Sequence, residues 1–205
     1  MPAYQYPLAP NPIFWTIQGE GHLRGFQMAF LRLAGCSVGC PGCDTDYRVA
    51  RRADVATIVR QVEEVTPSSS RDKWVWITGG EPTDHDLRPL LSALKSEGFS
   101  TALATSGVRR FIPPVDWLSV SPHDYETQQL YGSEVKLVVG LNGLDPVAWQ
   151  AKFPDDRTDF MYRYVQPAWI HGMEDAVGIE ECLSFLRTRP NWAMSRQDHK
   201  LWGVP

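Results

Sequence analysis

Two rhythms of apolar residues run along this chain. Short, nearly unbroken apolar runs recur at Met28–Ala34, Lys73–Thr78, Ser100–Thr105, Asp116–Ser121, Glu134–Gly140 and Phe160–Val165, with a last one at Trp192–Met194. Their length and their content of branched and aromatic residues predict strands. Between several of them, apolar residues return every three or four positions, which predicts helices. Asp54 is placed to cap one over Val55–Val65, with Val55, Ile58, Val59, Val62 and Val65 on one face. Leu87–Ser96, Asp145–Lys152 and Asp175–Arg187 follow the same rhythm; in the last, Ala176, Ile179, Cys182, Leu183 and Leu186 are expected to face the core. Residues 1–12 read as an extended arm punctuated by proline, and Pro67–Ser70 as a loop.

Strands that alternate with helices imply a mostly parallel sheet with crossover connections. Glycines and polar residues fall after Ala34, Thr78, Thr105, Ser121 and Val165, at the carboxyl ends of strands. That is the face where barrels of this class build their sites, and a full eight-unit barrel takes about 250 residues. At 205 residues, the expectation is a partial, open (β/α) barrel of about six mostly parallel strands, with residues 1–205 forming one α/β domain.

Composition narrows the function classes. Hydrophobic residues make up 43% and charged residues 21%, the balance of a globular protein with a buried core. A formal net charge of −4 does not advertise phosphate contacts, so no nucleic-acid partner is expected. The start carries no basic, apolar leader, and no run approaches the roughly 20 apolar residues of a membrane helix, so no membrane partner is expected either. The reading is therefore a cytoplasmic protein, in a reducing compartment where clustered cysteines favour metal over disulfide.

The chain has four cysteines, and Cys36, Cys40 and Cys43 share one short loop after the Met28–Ala34 strand. Three thiolates so spaced can hold three irons of a [4Fe–4S] cluster and leave the fourth iron open. Gly35, Gly39 and Gly42 let the loop bend around a bulky inorganic core. A zinc site of three cysteines and a histidine competes, although no histidine follows Cys43 before His85. A disulfide framework is poorly supported, because three cysteines on one loop cannot all pair.

Other residue types add candidates. Gln18 and Glu20 sit between glycines in Ile13–Gly21 and can point into a site. Arg32 lies within an apolar strand, where it must either emerge on a solvated face or meet a carboxylate. The run Cys43-Asp-Thr-Asp46 sets hard oxygens beside soft sulfurs and suits a second metal such as Mg²⁺, or simply a turn. Gly79 and Gly80 permit close backbone approach to a ligand, and Glu81 offers an acceptor for an ammonium group. Cys182 reads as a small packed residue. His22, His85, His171 and His199 read as solvated or hydrogen-bonded surface histidines.

Cys36, Cys40 and Cys43 in C-x3-C-x2-C spacing, together with Gly79-Gly-Glu-Pro82, resemble the radical S-adenosylmethionine superfamily. Thr16-Ile-Gln-Gly-Glu-Gly21, Phe30–Cys36, Cys43-Asp-Thr45, Thr78–Pro82, Ser121-Pro122 and the ending His199–Pro205 are similar to its 7-carboxy-7-deazaguanine synthase family, over almost the whole chain. The resemblance implies a [4Fe–4S] cluster on the three cysteines, S-adenosyl-L-methionine on its open iron, and Mg²⁺ on Thr45. It implies that the cofactor's radical takes a hydrogen from C6 of 6-carboxy-5,6,7,8-tetrahydropterin, after which the ring contracts and ammonia leaves. By the same likeness, Ile17, Gln18, Gly19, Glu20, Arg32, Thr78 and Pro205 would bind the pterin. Gly80, Glu81, Ser121, Pro122, His123, Gln166, Pro167, Ala168 and Trp169 would bind the cofactor. His123 stands where relatives often carry lysine, and Ala168-Trp169 replaces an expected polar pair. A homodimer and a flavodoxin-type or other reductase are the implied partners. A glycyl-radical activase on the same scaffold and a zinc-stabilised binding module stay open as rival readings.

Overall fold

The structure, a computed structural model, describes residues 4–40, 43, 45–110, 113–140 and 144–205. Gly42 of the cysteine loop and Asp44 of the oxygen-rich run lie outside the described residues, as do residues 1–3 of the arm.

The six long apolar runs form parallel strands in one sheet: β2 (Gln27–Leu33), β4 (Trp74–Gly79), β5 (Ser100–Thr105), β6 (Trp117–Val120), β7 (Tyr131–Val139) and β8 (Asp159–Pro167). Short β11 (Ala193–Met194) adds a parallel edge beyond β8. The other edge is antiparallel: β1 (Tyr6–Ile17) pairs β2, and β3 (Arg51–Ala53) pairs β1. A small hairpin, β9 (Trp169–Ile170) and β10 (Met173–Glu174), stands apart. The whole is a partial, open α/β barrel.

Residues 6–12 of the expected arm thus belong to the longest strand. The register of β1 against β2 shifts between Leu8 and Ile13, where Asn11 takes φ 45°, a left-handed conformation that asparagine tolerates. Prolines hid this strand, because they are confined to edges and bulges.

Helices cover the outer face. In α1 (Val55–Val65) the Asp54 side chain accepts from the Thr57 amide at 2.8 Å, and Ile58, Val59 and Val62 are buried. Helices α2 (Arg88–Ser96), α3 (Pro146–Lys152) and α4 (Ala176–Leu186) follow their predicted spans closely. The buried side of α4 is Gly178, Cys182 and Phe185, a rotation from the expected face: Ala176 and Leu183 are exposed. Nearly every side of α4 is apolar, so its periodicity was a poor guide. Cys182 is fully buried, and burial pushes its thiol up to about 12. Among the described residues, no helix is long and apolar enough to cross a membrane.

Candidate active site

Strand alternation sends every second side chain to the concave inner face. Met28, Trp76 and Ala102 are packed there with Leu23, Phe30, Trp74 and Trp117 as an apolar floor. One pleat toward the carboxyl end, Arg32 follows Phe30 and Thr78 follows Trp76, and these two residues are cross-strand partners. On β7 and β8 the same alternation brings Lys136, Val138 and Gln166 to the surface of one cavity of about 520 Å³. The site is therefore polar above an apolar floor.

The cysteine loop rises from the end of β2. Cys36, Cys40 and Cys43 all line the cavity, Cys43 being the exposed one. The loop's base is tied on several sides. The Gly35 amide donates to Tyr47 O at 2.9 Å, the Ser37 amide and hydroxyl both reach Asp84 at 2.8 Å, and Asp84 pairs with Arg109. Gly35 and Gly39 take φ +84° and +62°, and a Cβ on either would meet nothing within 4 Å, so open space adjoins the loop. Soft sulfur donors on a wrapped loop facing a roomy cavity fit a bulky iron–sulfur core. Among the described residues, no group of three His, Cys, Asp or Glu side chains is already gathered as a metal-binding set.

The Gly79-Gly80 pair lines the cavity and also makes a close contact within the chain. A Cβ on Gly79 would lie 2.0 Å from Leu33 O, and one on Gly80 would lie 1.7 Å from Gly35 O. The Gly80 amide donates to Leu33 O at 2.9 Å and the Glu81 amide to Gly35 O at 3.1 Å. The glycines thus let the end of β4 press against the root of the cysteine loop, while Gly80 still borders the cavity. Glu81 is engaged with protein donors as well. It is buried, and its carboxylate accepts from Thr83 N and Oγ1, Thr105 Oγ1, and Ser106 N and Oγ at 2.6–3.0 Å. Its oxygens tie β4 to β5, and Glu81 also lines the cavity.

The barrel's open side is closed by two segments that meet. Residues 18–26 join β1 to β2, and residues 195–205 contain α5 (Asp198–Trp202). The Asp198 amide donates to Gly19 O at 3.1 Å, the Gly21 amide to Ser195 Oγ at 2.9 Å, and Arg24 pairs with Asp198 at 2.6 Å. A Cβ on Gly19 would lie 2.4 Å from the His199 amide. At this junction Glu20 pairs with Lys136 and accepts from Gln197 Nε2 at 2.7 Å. Burial alone would raise the Glu20 carboxyl, but the Lys136 ammonium beside it, with help from His199 and Gln197, brings it down to about 2. Gln18 accepts from the Glu20 amide at 3.0 Å, and Thr16 donates to Pro205 O at 3.1 Å.

The remaining sequence candidates fall as follows. Arg32 is half-buried on the cavity wall with its guanidinium 4.7 Å from the Phe14 ring centroid. Thr45, Ser121, His123, Ala168 and Trp169 line the cavity, as do Ile17, Gln18, Gly19, Thr78 and Pro205. Gln166 is buried and accepts from Ser195 Oγ at 2.7 Å. Pro122 and Pro167 are buried but do not line the cavity. Asp46, a candidate hard oxygen, is held in a tight turn by Arg48, whose guanidinium brings its carboxyl down to about 2.

Sequence reasoning missed Lys136, Gln197, His199 and Lys200, which all line the cavity. His199 was expected at the surface; it packs instead on Gly19. Lys136 could have been found by the argument applied to Arg32, since it too is a cation within an apolar strand. Gln197 carries no comparable signal, while Lys200 stands in the family-like ending His199–Pro205.

An open barrel with three cysteines at the end of its first parallel strand, facing a polar cavity, defines a radical S-adenosylmethionine protein. The chain is 33% identical to the 7-carboxy-7-deazaguanine synthase of Synechocystis sp., over 97% of this chain and 93% of that protein. It is 33% identical to the synthase of that name from Escherichia coli, over 98% and 99%. It superposes on the crystal structure of QueE from Escherichia coli with a TM-score of 0.71, 30% identity and 94% of each chain covered. No family model matches. On these relatives, the chain belongs to the 7-carboxy-7-deazaguanine synthase family.

Proposed function

We propose that this chain, as one catalytic domain, converts 6-carboxy-5,6,7,8-tetrahydropterin to 7-carboxy-7-deazaguanine with loss of ammonia. The observation that carries the reading is that one cavity is lined by Cys36, Cys40 and Cys43 and also by Gln18, Glu20 and Arg32. A cysteine-bound cluster with S-adenosyl-L-methionine would supply an electron and, from it, a carbon radical. The chain's own residues do the rest. Arg32 offers its fork to the substrate carboxylate. Glu20, kept ionised by Lys136, accepts from the amine-bearing edge of the pterin. Phe30 and Trp76 on the floor, with residues 195–205 across the open side, keep water from the reacting centre.

Thr45 borders the cysteine loop and would hold Mg²⁺ together with substrate oxygens. Ser121, His123, Gln166 and Trp169 would form the cofactor's side of the cavity. A homodimer, a flavodoxin-type or other reductase, and a reducing cytosol are taken over from the family likeness alone. A compact polar cavity favours a small carboxylated substrate over the protein partner that an activase needs.

The test is anaerobic reconstitution with iron and sulfide, then incubation with S-adenosyl-L-methionine, dithionite and the carboxylated tetrahydropterin. Mass analysis should find 7-carboxy-7-deazaguanine. A reconstituted cluster that cleaves the cofactor yet leaves the pterin unchanged would refute the reading.

A further inference from the structure

Residues 18–26 carry Gln18 and Glu20 into the cavity, so whatever fixes this connection fixes both side chains. It closes on itself: the Gln18 amide donates to Phe26 O at 2.8 Å and the Gly25 amide to Gln18 O at 2.7 Å. Leu23 buries its side chain in the apolar floor. By strand alternation, Glu134 shares the inward face of β7 with Lys136 and Val138. Unlike them it is not part of the cavity lining; it lies one pleat nearer the amino end and is buried.

Two rungs join β7 to this connection. Lys136 pairs with Glu20, and one pleat earlier the Glu134 carboxylate accepts from the His22 amide at 2.8 Å. Its other oxygen accepts at 2.7 Å from the hydroxyl of Ser119, the cross-strand neighbour in β6. Gly21 makes the approach possible: it takes φ +66°, and a Cβ there would lie 2.5 Å from a Glu134 oxygen. The His22 ring adds a second hold. It stacks on Tyr162 and Trp117 at 3.7 and 5.4 Å between ring centroids, and its Nδ1 lies 3.3 Å from the Tyr164 hydroxyl. A buried carboxylate is an expensive way to fill space, and neither Ser119 nor His22 lines the cavity. What this carboxylate secures is the connection that presents Glu20.

We propose that Glu134 is a positioning residue: by holding the His22 amide it sets where Glu20 meets the amine-bearing edge of the pterin. This rests on the proposed function. Glu134 acts through Glu20, and a hydrogen bond to a carboxylate loses strength quickly once the acceptor moves off line.

The test compares reconstituted wild type with Glu134→Ala and Glu134→Gln. The alanine variant releases the connection, so KM for the carboxylated tetrahydropterin should rise about tenfold, while KM for S-adenosyl-L-methionine moves less than about twofold. The glutamine variant keeps a carbonyl oxygen for the His22 amide and an amide group for the Ser119 hydroxyl, so it should restore the wild-type KM. A merely structural role would lower the active fraction, and with it kcat, and leave KM for the pterin alone. That result would overturn the proposal, as would a glutamine variant as impaired as the alanine one. Amide hydrogen exchange of residues 18–26 reads the same tether without substrate. It should be about tenfold faster in Glu134→Ala than in wild type or Glu134→Gln, and equal exchange in all three would also overturn the proposal. If Glu134→Ala does not fold, Glu134→Asp, one methylene shorter at equal charge, decides by the same two measurements. Absence of product from the wild type would count against the proposed function, while hydrogen exchange would still judge the tether.

Discussion

At the residue scale, Lys136 and Glu20 form an ion pair on the cavity wall. Both side chains are largely withdrawn from solvent, 7% and 18% exposed, so neither charge is cheap without the other. Lys136→Met should cost roughly 3–5 kcal/mol of stability, and it should raise KM for the pterin more than it lowers kcat. Retained substrate affinity would remove Glu20 from substrate binding. The pair also predicts a pH effect. Glu20 is held near 2 against an ordinary 4.5, so its stabilisation is complete above 4.5 and fades as pH falls from there toward 2. In urea unfolding, the gap between wild type and Glu20→Gln should therefore shrink between pH 7 and pH 3. A gap that widens on acidification would contradict the assignment.

At the element scale, the contact between the end of β4 and the cysteine loop is the tightest part of the site. Gly80→Ala drives a methyl into Gly35 O, so the variant should lose several kcal/mol by overpacking and bind less iron on reconstitution. Gly98→Ala is the control. Gly98 has φ +78° with nothing within 4 Å of a Cβ, so only backbone strain of about 1–2 kcal/mol is expected, with iron content unchanged. Equal iron loading in both variants would show that the β4 contact does not shape the loop. The six parallel strands and the four long helices were legible because their apolar periods are clean. Strand β1 was hidden by prolines, and the face of α4 by apolar residues on almost every side. The cysteine loop and Arg32 announced themselves through chemistry. The work of Glu81, joining β4 to β5, needed the fold, since its partners Thr105 and Ser106 lie about two dozen positions away and neither is unusual in sequence.

At the scale of the whole molecule, an incomplete barrel gains a wall from its own chain. The β1–β2 connection and residues 195–205 meet across the gap through Gly19, Gly21 and Arg24, and Ser195 carries the contact on to Gln166. One enclosed face then carries sulfur donors beside Glu20, Arg32 and Lys136, so a radical made at the loop would reach a neighbouring substrate before water. The most direct measurement follows a deuterium placed at C6 of the carboxylated tetrahydropterin. The account predicts that the label moves into 5′-deoxyadenosine as 7-carboxy-7-deazaguanine forms; unlabelled 5′-deoxyadenosine accompanying that product would contradict it.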